Sequence, residues 1–299
     1  NPAVDGSCEA AVVHPIHKVR TRNERYDPGG GGINVARVMR RLGDDVSAWY
    51  LAGGATGSVL DELLDRDGIT RHPFPIMGHT RISHAVYETI TGQEYRFVPE
   101  GPEVSPAEWQ PMLAALKQEA FDWLVVSGSL PRGMGTDDLL PFLDLAAQRD
   151  ARLVLDTSGD ALAACVAHGG LSLVKPSRGE LERLAGRSLP DLQAVIDAAA
   201  ALVSGGKVEM IAVTLGHEGA VLVDRDGALV EPAIDVPVKS ATGAGDSFLA
   251  GMVHALAVGQ ARQAAFRYGM AAGTAAVMTP GTDLCWPEDI ARIFAQISA

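Results

Sequence analysis

The chain has 299 residues, and its 25 Lys and Arg against 37 Asp and Glu give a formal net charge of −12. This acidic balance argues against nucleic acid or an anionic membrane surface as a partner, because binding either one requires a basic face. No uninterrupted apolar run reaches the roughly 18 residues of a membrane-spanning helix, and we expect no secretory signal at the start.

Two segments in the first third of the chain are predicted to form a small β-sheet lid. Residues 12–25 are polar and charged, without helical periodicity. Residues 82–90 and 94–98 alternate in polarity around Thr91-Gly92, which is typical of a β-hairpin. We therefore expect a lid inserted at about residues 10–27 and 80–98 of a single domain that spans residues 1–299.

The rest of the chain alternates between predicted strands and helices. Short apolar runs indicate strands at 123–127, 152–156, 171–175 and 210–215. Helical patterns separate or follow them at 106–117, 136–149, 160–167, 179–185, 191–203, 245–258 and 260–278. Alternation of this kind predicts an α/β fold, with a central, mainly parallel sheet flanked by helices.

Glycine is concentrated where a helix is predicted to begin. Residues 27–37 read Asp-Pro-Gly-Gly-Gly-Gly-Ile-Asn-Val-Ala-Arg, and residues 241–248 read Ala-Thr-Gly-Ala-Gly-Asp-Ser-Phe. Small residues there expose backbone N–H groups at the positive end of the helix dipole, which suits an anion such as a transferring phosphoryl group. Asp246 falls beside this predicted anion hole, where it could act chemically or simply cap the helix. We expect the helix dipole to lower its pKa.

Several well-known motifs are missing from the sequence. There is no Walker A motif, no G-x-S-x-G, no H-E-x-x-H, and no strand-borne G-x-G-x-x-G with a following acidic residue. His14 and His17 have a spacing that metal ligands can show, but a solvated loop is the favoured interpretation. Three widely separated cysteines without a C-x-x-C pair indicate a reducing compartment, and neither a disulfide framework nor a zinc site.

Residues 29–37 and 243–247 resemble the two signatures of the ribokinase-like (PfkB) carbohydrate kinases, and their spacing fits that family. The resemblance covers essentially the whole chain. It is closest to the 6-phosphofructokinase branch, judged by Gly-Gly-Ala-Thr-Gly at 53–57, Tyr-Arg-Phe-Val at 95–98, Ser-Gly-Ser-Leu-Pro at 127–131 and Gly-Thr-Asp-Leu-Cys at 281–285. It implies a ribokinase-like fold and ATP-dependent phosphorylation of a sugar hydroxyl.

The resemblance also implies roles for individual residues. Asp246 would be the base on the acceptor hydroxyl, and the phosphoryl group would be held by the N–H groups of Gly243, Ala244 and Gly245. The sugar would contact Asp5, Gly30, Gly31, Asn34 and Ser129. The nucleotide would contact Lys175, Ser177, Thr214, Gly216 and Gly219. Glu180 would hold Mg²⁺ through its water shell.

The acceptor is predicted to carry a phosphate already. The lid and its edges carry four cations at positions that match the phosphate-binding residues of phosphohexose kinases: Lys18, Arg20, Arg81 and Arg96. Arginine suits bidentate recognition of phosphate. We therefore expect conversion of fructose 6-phosphate to fructose 1,6-bisphosphate. The enzyme alternatives are a tagatose-6-phosphate kinase, a 1-phosphofructokinase, or a neutral-sugar or nucleoside kinase. A non-catalytic sugar-phosphate sensor is the alternative from another class, although it would not need the base and the anion hole together.

The sequence departs from the family pattern at three places. Ser177 stands where the N-x-x-E motif has Asn. Ser240-Ala241 stands where Asp-Thr is usual, which leaves a requirement for K⁺ open. The family's first strand precedes the Asn1-Pro2 turn, and we expect it to have been trimmed. The resemblance further implies a homodimer that pairs through the lid, and from the cysteines we expect a cytoplasmic protein.

Overall fold

The computed structural model describes residues 1–297. Its central sheet has six strands in the order β12-β11-β10-β9-β8-β7. The parallel strands are β7 (Trp123–Ser127), β8 (Arg152–Asp156), β9 (Leu173–Val174) and β10 (Met210–Thr214). The hairpin of β11 (Ala220–Asp224) and β12 (Gly227–Glu231) joins antiparallel at one edge. The predicted α/β class with a mainly parallel sheet is confirmed.

A second sheet, called the small sheet below, has four strands in the order β2-β1-β5-β6. Its strands are β1 (Ala3–Ala10), β2 (Thr21–Gly29), β5 (Arg81–Glu88) and β6 (Gln93–Phe97). The β5–β6 hairpin lies where the alternating pattern indicated one. The two predicted lid segments left out most of β1, whose glycine and internal carboxylate are unusual in a strand. The remaining strands, β3 (Ser47–Ala52) and β4 (Thr70–Pro75), form a separate parallel pair.

Ten α-helices are described. They are α1 (Gly31–Arg41), α2 (Gly54–Arg66), α3 (Pro106–Leu116), α4 (Leu140–Gln148), α5 (Gly159–His168), α6 (Arg178–Ala185), α7 (Leu192–Ser204), α8 (Ala244–Ala257), α9 (Arg262–Val277) and α10 (Pro287–Ile297). The predicted helix at 136–149 is divided into a 3₁₀ turn, Asp137–Leu139, and α4. Among the helices of residues 1–297, none is both long enough and apolar enough to cross a membrane.

The central sheet is buried on both faces. In β8, Leu153 and Leu155 join the core cluster formed with α3 to α7, whereas Val154 joins the cluster formed with α1, α8, α9 and α10. The three apolar side chains of this strand therefore have apolar neighbours whichever face they point to. This explains why these strands read as continuous apolar runs rather than alternating ones.

Helices α8 and α9 pack closely, and this contact fixes the end of α8 that begins at the glycine-rich loop. Phe248 and Phe266 meet edge to face, with their ring centroids 5.9 Å apart. A methyl group added to Gly251 would lie 2.6 Å from the Cβ atom of Ala272. The absence of a side chain at Gly251 therefore allows the two backbones to approach.

We predict that Gly251→Ala lowers the free energy of unfolding. Alanine gains up to about 1 kcal/mol of helix propensity over glycine, but overpacking a core typically costs about 1–3 kcal/mol. Gly179→Ala, in α6, is the matched control, because a methyl group there meets no atom within 4 Å. Urea unfolding should give a lower midpoint for the first variant and an equal or higher one for the second. An unchanged midpoint for Gly251→Ala would contradict the close helix contact.

Candidate active site

The candidate site lies at the carboxyl ends of the parallel strands, where open α/β sheets usually bind ligands. Asp156 ends β8, Lys175 directly follows β9, and Thr214 ends β10. Helix α1 begins against the end of β7, since a methyl group added to Gly31 would lie 2.5 Å from Ser127 Oγ. Helix α8 begins beside Lys175, whose Nζ atom would be 3.3 Å from a methyl group on Gly245.

The first turn of α8 has the geometry of an anion hole. Gly243 is the N-cap residue and has a left-handed backbone, with φ of 73°. The N–H groups of Gly243, Gly245 and Asp246 donate to no other group within residues 1–297, and that of Ala244 reaches only the carbonyl of Ala241, at 3.4 Å. These N–H groups are therefore available to a bound anion.

Asp246 does not cap this helix. No side chain caps α8, and Asp246 Oδ2 instead accepts a hydrogen bond of 2.8 Å from the Asn34 amide on α1. Burial raises the pKa of Asp246, and this effect exceeds the opposing effects of the Asn34 hydrogen bond and of the Lys175 charge. The expected lowering of this pKa is therefore wrong, because removal from water outweighs the helix dipole here.

Asp5 lies on β1 beside the backbone of β2. A methyl group added to Gly29 would lie 2.0 Å from Asp5 Oδ2, so only glycine leaves room for this carboxylate. Burial raises the pKa of Asp5, although the charges of Arg37, Arg96 and Arg81 oppose the shift. The charge of Asp5 also raises the pKa of Asp246, so the two carboxylates are near neighbours.

The four predicted phosphate-binding cations have different surroundings. Arg81 donates to the carbonyl oxygens of Pro99, at 2.9 Å, and Asn1, at 2.8 Å, and burial lowers its pKa. The Arg96 side chain is exposed and makes no hydrogen bond or ion pair within residues 1–297. Its charge nevertheless lowers the pKa of both Asp5 and Asp246. Lys18 and Arg20 lie in the exposed loop between β1 and β2 and contact no site residue by a hydrogen bond or ion pair.

The remaining predicted sugar contacts line the start of α1 and the end of β7. Gly30 is the N-cap residue of α1, with a φ of 105°, and Gly31 begins the helix. Asn34 is 6% exposed and is held by Asp246. Ser129 is exposed and accepts a hydrogen bond of 3.1 Å from the Asn1 amide. The structure thus brings Gly30, Gly31 and Asn34 close to Asp246, with Ser129 just beyond β7.

The predicted nucleotide-binding residues connect the start of α6 with the end of β10. Ser177 and Thr214 are bridged by backbone pairing, and the N–H of Thr214 donates to Pro176 at 3.0 Å. The following turn contains Gly216, with φ of 63°, and Gly219, with φ of 108°. A methyl group on Gly219 would lie 2.1 Å from the carbonyl oxygen of Glu231, so a side chain cannot be placed there.

Glu180 forms a capping box with Ser177. Glu180 Oε2 accepts from the Ser177 N–H at 2.8 Å and its hydroxyl at 2.9 Å, while the Glu180 N–H donates to Ser177 Oγ at 3.3 Å. Ser177, which replaces the family's Asn, therefore orients this carboxylate and leaves Oε1 without a partner in the described chain. No group of three or more metal-binding side chains occurs within residues 1–297. This donor set fits a hydrated Mg²⁺ that arrives on nucleotide phosphates, since such ions keep several waters and need only one or two carboxylates.

The sequence reasoning missed Asp156. Its carboxylate lies 3.1 Å from Lys175 Nζ, and both side chains are largely buried. Burial raises the pKa of Asp156 to about 6, against the opposing effect of Lys175, and the charges of Asp246 and Glu180 raise it further. Its position at the end of a predicted strand was the available signal, because such positions face the site in a parallel sheet.

The sequence and the fold both match known carbohydrate kinases. The sequence pattern of the pfkB family carbohydrate kinases matches residues 4–289. The chain is 38% identical to the ATP-dependent 6-phosphofructokinase isozyme 2 of Mycobacterium tuberculosis, over 98% of this chain and 87% of the relative. It is 32% identical to the 1-phosphofructokinase of Escherichia coli, over 99% of this chain and 95% of the relative.

The structure superimposes on phosphofructokinase-2 from Escherichia coli in complex with substrates and products. The TM-score is 0.96 and the identity 34%, over 100% of this chain and 97% of the other. That enzyme has also been solved with fructose-6-phosphate, with potassium and in a tetrameric inhibited form. The family pattern and the full-length relatives agree with the ribokinase-like fold described above. This chain belongs to the pfkB family of carbohydrate kinases.

Proposed function

We propose that the chain transfers the γ-phosphoryl group of ATP to the free primary hydroxyl of fructose 6-phosphate. The products are ADP and fructose 1,6-bisphosphate. The observation that carries the proposal is the contact between Asp246 and Asn34, 2.8 Å long, beside the open first turn of α8. A carboxylate that served only as a helix cap would bond to its own helix. This one is turned toward the sugar side of the site, next to N–H groups that can receive a phosphoryl group.

In the proposed reaction, Asp246 accepts the proton of the acceptor hydroxyl while the hydroxyl oxygen bonds to the γ-phosphorus. The bond between that phosphorus and the β,γ-bridging oxygen breaks, and ADP leaves. A raised pKa makes Asp246 a better base than a solvated aspartate. Since phosphoryl transfer has a loose transition state, positioning contributes more than basicity. The N–H groups of Gly243 to Asp246 and the nearby Lys175 would meet the charge of the transferred group.

Mg²⁺ would neutralise the nucleotide phosphates when bound. We propose that Glu180 orients its water shell, since one oxygen of this carboxylate is fixed by Ser177 and the other is available. We propose that Asp156 is a second carboxylate near the Mg²⁺ site, because it interacts electrostatically with Glu180 and Asp246. A requirement for K⁺ stays a proposal, supported by the potassium complex of the Escherichia coli relative.

We propose that the phosphate of the acceptor binds Arg96, and that Arg81 positions the backbone at the same end of the small sheet. Arg96 is exposed and unpaired within residues 1–297, while Arg81 is already bonded to two backbone carbonyls. Lys18 and Arg20, on the same small sheet's connecting loop, remain proposed contributors. We propose that the small sheet acts as a lid, because it carries Asp5, Arg81 and Arg96.

An ADP-release assay with five acceptors tests the proposed function. Fructose 6-phosphate should be turned over with the highest kcat/KM, compared with tagatose 6-phosphate, fructose 1-phosphate, ribose and adenosine. A preference for fructose 1-phosphate would favour the 1-phosphofructokinase alternative. A preference for ribose or adenosine would contradict the role of the cations. No turnover of any acceptor, with sugar phosphate still bound, would favour the sensor.

We predict that Asp246→Asn lowers kcat by about 10²–10⁴-fold or more, the usual contribution of a general base. Binding of ATP and of fructose 6-phosphate, measured by calorimetry, should change little because the amide keeps the shape of the side chain. Asp289→Asn is the matched control, since Asp289 also lies in the first turn of a helix, α10, and its carboxylate bonds to Arg292 at 2.8 Å rather than to a site residue. Turnover near the wild-type level in Asp246→Asn would remove the base role.

We predict that Arg96→Ala raises the KM for fructose 6-phosphate at least tenfold and leaves the KM for ATP nearly unchanged. A hydrogen bond to a charged group is worth about 1.5–3 kcal/mol, which corresponds to such a change. Arg292→Ala, on the exposed side of α10, is the control. Arg81→Ala should also lower the thermal midpoint, since it removes two backbone contacts. Equal effects of Arg96→Ala on both substrates would argue for a neutral acceptor.

We predict that Asp156 makes stability depend on pH near 6. Its pKa is about 6 in the folded chain, whereas an aspartate in an unfolded chain has a pKa of 3.8. Between these two pH values the folded chain therefore holds one proton more than the unfolded chain. The free energy of unfolding should therefore fall with rising pH by about 1.4 kcal/mol per unit in this window, and level off above it. Urea unfolding at pH 4.5 to 7.5 gives the free energy of unfolding of the wild type and of Asp156→Asn, and the difference between the two isolates this contribution. A difference that is constant over this range would contradict the buried pair.

We also propose that two copies associate through the small sheet, in the cytoplasm. Tyr26, Phe97 and Val98 on or beside this sheet are 45%, 57% and 56% exposed, and apolar groups of this size favour a partner surface. The described cysteines are all free, which suits a reducing compartment. Light scattering at micromolar concentration should give twice the chain mass of 31.4 kDa, and Phe97→Ser should shift it toward one chain. A monomeric wild type would remove the proposal.

A further inference from the structure

Arg37 is a buried charged residue that the proposed chemistry does not use. It lies on α1, one turn after Asn34, and is 2% exposed. It is the largest of the fully buried side chains in the described chain. Burying a guanidinium is costly unless it is paired and hydrogen-bonded, so its partners indicate what it does.

The end of α2 and strand β2 hold the Arg37 guanidinium in place. Its Nε donates to Asp67 Oδ2, just after α2, at 3.0 Å, and its Nη1 donates to the carbonyl of Pro28, on β2, at 3.0 Å. Its Nη2 lies 3.5 Å from Asp27 Oδ1, and the other oxygen of Asp27 accepts from the Thr282 hydroxyl at 2.8 Å. The guanidinium therefore has a fixed position and a fixed plane.

The fixed guanidinium determines how the Asn34 amide is turned. Arg37 Nη1 lies 3.4 Å from Asn34 Oδ1, and Asn34 Nδ2 donates to Asp246 Oδ2 at 2.8 Å. If the amide turned by half a rotation, its oxygen would face the carboxylate and its NH₂ would face the guanidinium. Two hydrogen-bond acceptors would then face each other at Asp246, and two donors would face each other at Arg37, because a carboxylate only accepts and a guanidinium only donates. Arg37 thus favours the one orientation in which Asn34 can bind Asp246.

We propose that Arg37 is a positioning residue: through Asn34, it holds the Asp246 carboxylate in place for the acceptor hydroxyl. This rests on the proposed function only for the role of Asp246 as the base. Arg37 itself does not touch the reacting atoms. Its partners Asp27 and Asp67 extend this support to β2 and to the end of α2.

Arg41, one turn further along α1, is the matched control. It makes contacts of the same kind, to Asp283 Oδ1 at 3.1 Å and to the carbonyls of Leu284 and Cys285 at 2.8 and 3.1 Å. It does not bond to Asn34 or Asp246 within residues 1–297. Removing Arg41 therefore breaks an ion network of similar size without disturbing the amide.

The pH dependence of Asp246 also depends on the charged groups that surround Asp246 and Arg37. Asp246 faces Lys175 after β9, Asp156 at the end of β8, Asp5 on β1 and Arg96 on β6. Arg37 faces Asp27, Asp67, Arg41 and Asp5. The Asn34 hydrogen bond lowers the pKa of Asp246 against the larger effect of burial. Losing that hydrogen bond should therefore raise this pKa further, and none of the other neighbours changes in Arg37 variants.

The test compares Arg37→Gln and Arg41→Gln. Arg37→Gln should lower kcat by about 10- to 100-fold, the scale of a misplaced catalytic group, while the KM for ATP changes less than threefold. The acid limb of its kcat profile should move to higher pH, since the base is protonated more readily. Arg41→Gln should keep both kcat and the acid limb of the wild type, even if its thermal midpoint falls.

A double-variant cycle tests whether Arg37 acts through Asn34. Arg37→Gln combined with Asn34→Ala should have the kcat of Asn34→Ala alone, whereas independent roles would multiply the two losses. If Arg37→Gln does not fold, Arg37→Lys replaces it, because it keeps the charge but loses the planar fork. Wild-type kcat and acid limb in a folded Arg37 variant, or multiplied losses in the cycle, would overturn the proposal.

One measurement separates this proposal from the proposed function. The side-chain NH₂ of Asn34, labelled with ¹⁵N, should exchange slowly in the wild type and rapidly in Arg37→Gln, whether or not any acceptor is turned over. Absent turnover with slow exchange would contradict the proposed function alone. Equal exchange in the wild type and in the Arg37 variant would contradict the positioning role alone.

Discussion

The site depends on the hydrogen bond between Asn34 and Asp246, which joins the first turns of two helices that start 213 residues apart in the sequence, at Gly31 and Ala244. Each helix is oriented separately. Helix α1 approaches the end of β7 through Gly31, and α8 is held by its close contact with α9. Only when both are in place do the glycine-rich turn before α1 and the open first turn of α8 face one another. The backbone groups of both turns remain available to ligands because neither first turn is capped by a side chain.

A net charge of −12 opposes the binding of two anionic substrates, but the cations and N–H groups near the site offset this repulsion locally. The backbone N–H groups of α8 carry no formal charge and still favour anions. Lys175 is held close to them by Asp156, and Arg96 is unpaired within residues 1–297. Most of the other acidic side chains lie on the solvated surface, where salt screens their effect on a ligand at the site.

Much of this arrangement could be predicted from local patterns. The strands 123–127 and 152–156 occur at the predicted residues, because an apolar run bounded by polar residues is a local signal. The support for Asn34 could not be predicted, since Asp27, Asp67 and Arg37 meet only after three elements have packed. The pKa of Asp246 was predicted in the wrong direction for the same reason. The dipole is a property of one helix, whereas burial depends on everything that packs around it.

The pairing of β1 with β2 has a mechanical consequence for the small sheet. Asp5 and Asp27 are cross-strand partners, so the strand pair that carries Asp5 is tied to Arg37 and Thr282 at its base. This end of the sheet cannot pivot without breaking buried ionic contacts. The register of β1 and β2 shifts between Ser7 and Glu9, and bulges of this kind bend and twist a strand. If the small sheet moves toward the site, the movement would therefore bend its outer half, beyond the register shift, while the end that carries Asp5 and Asp27 stays fixed.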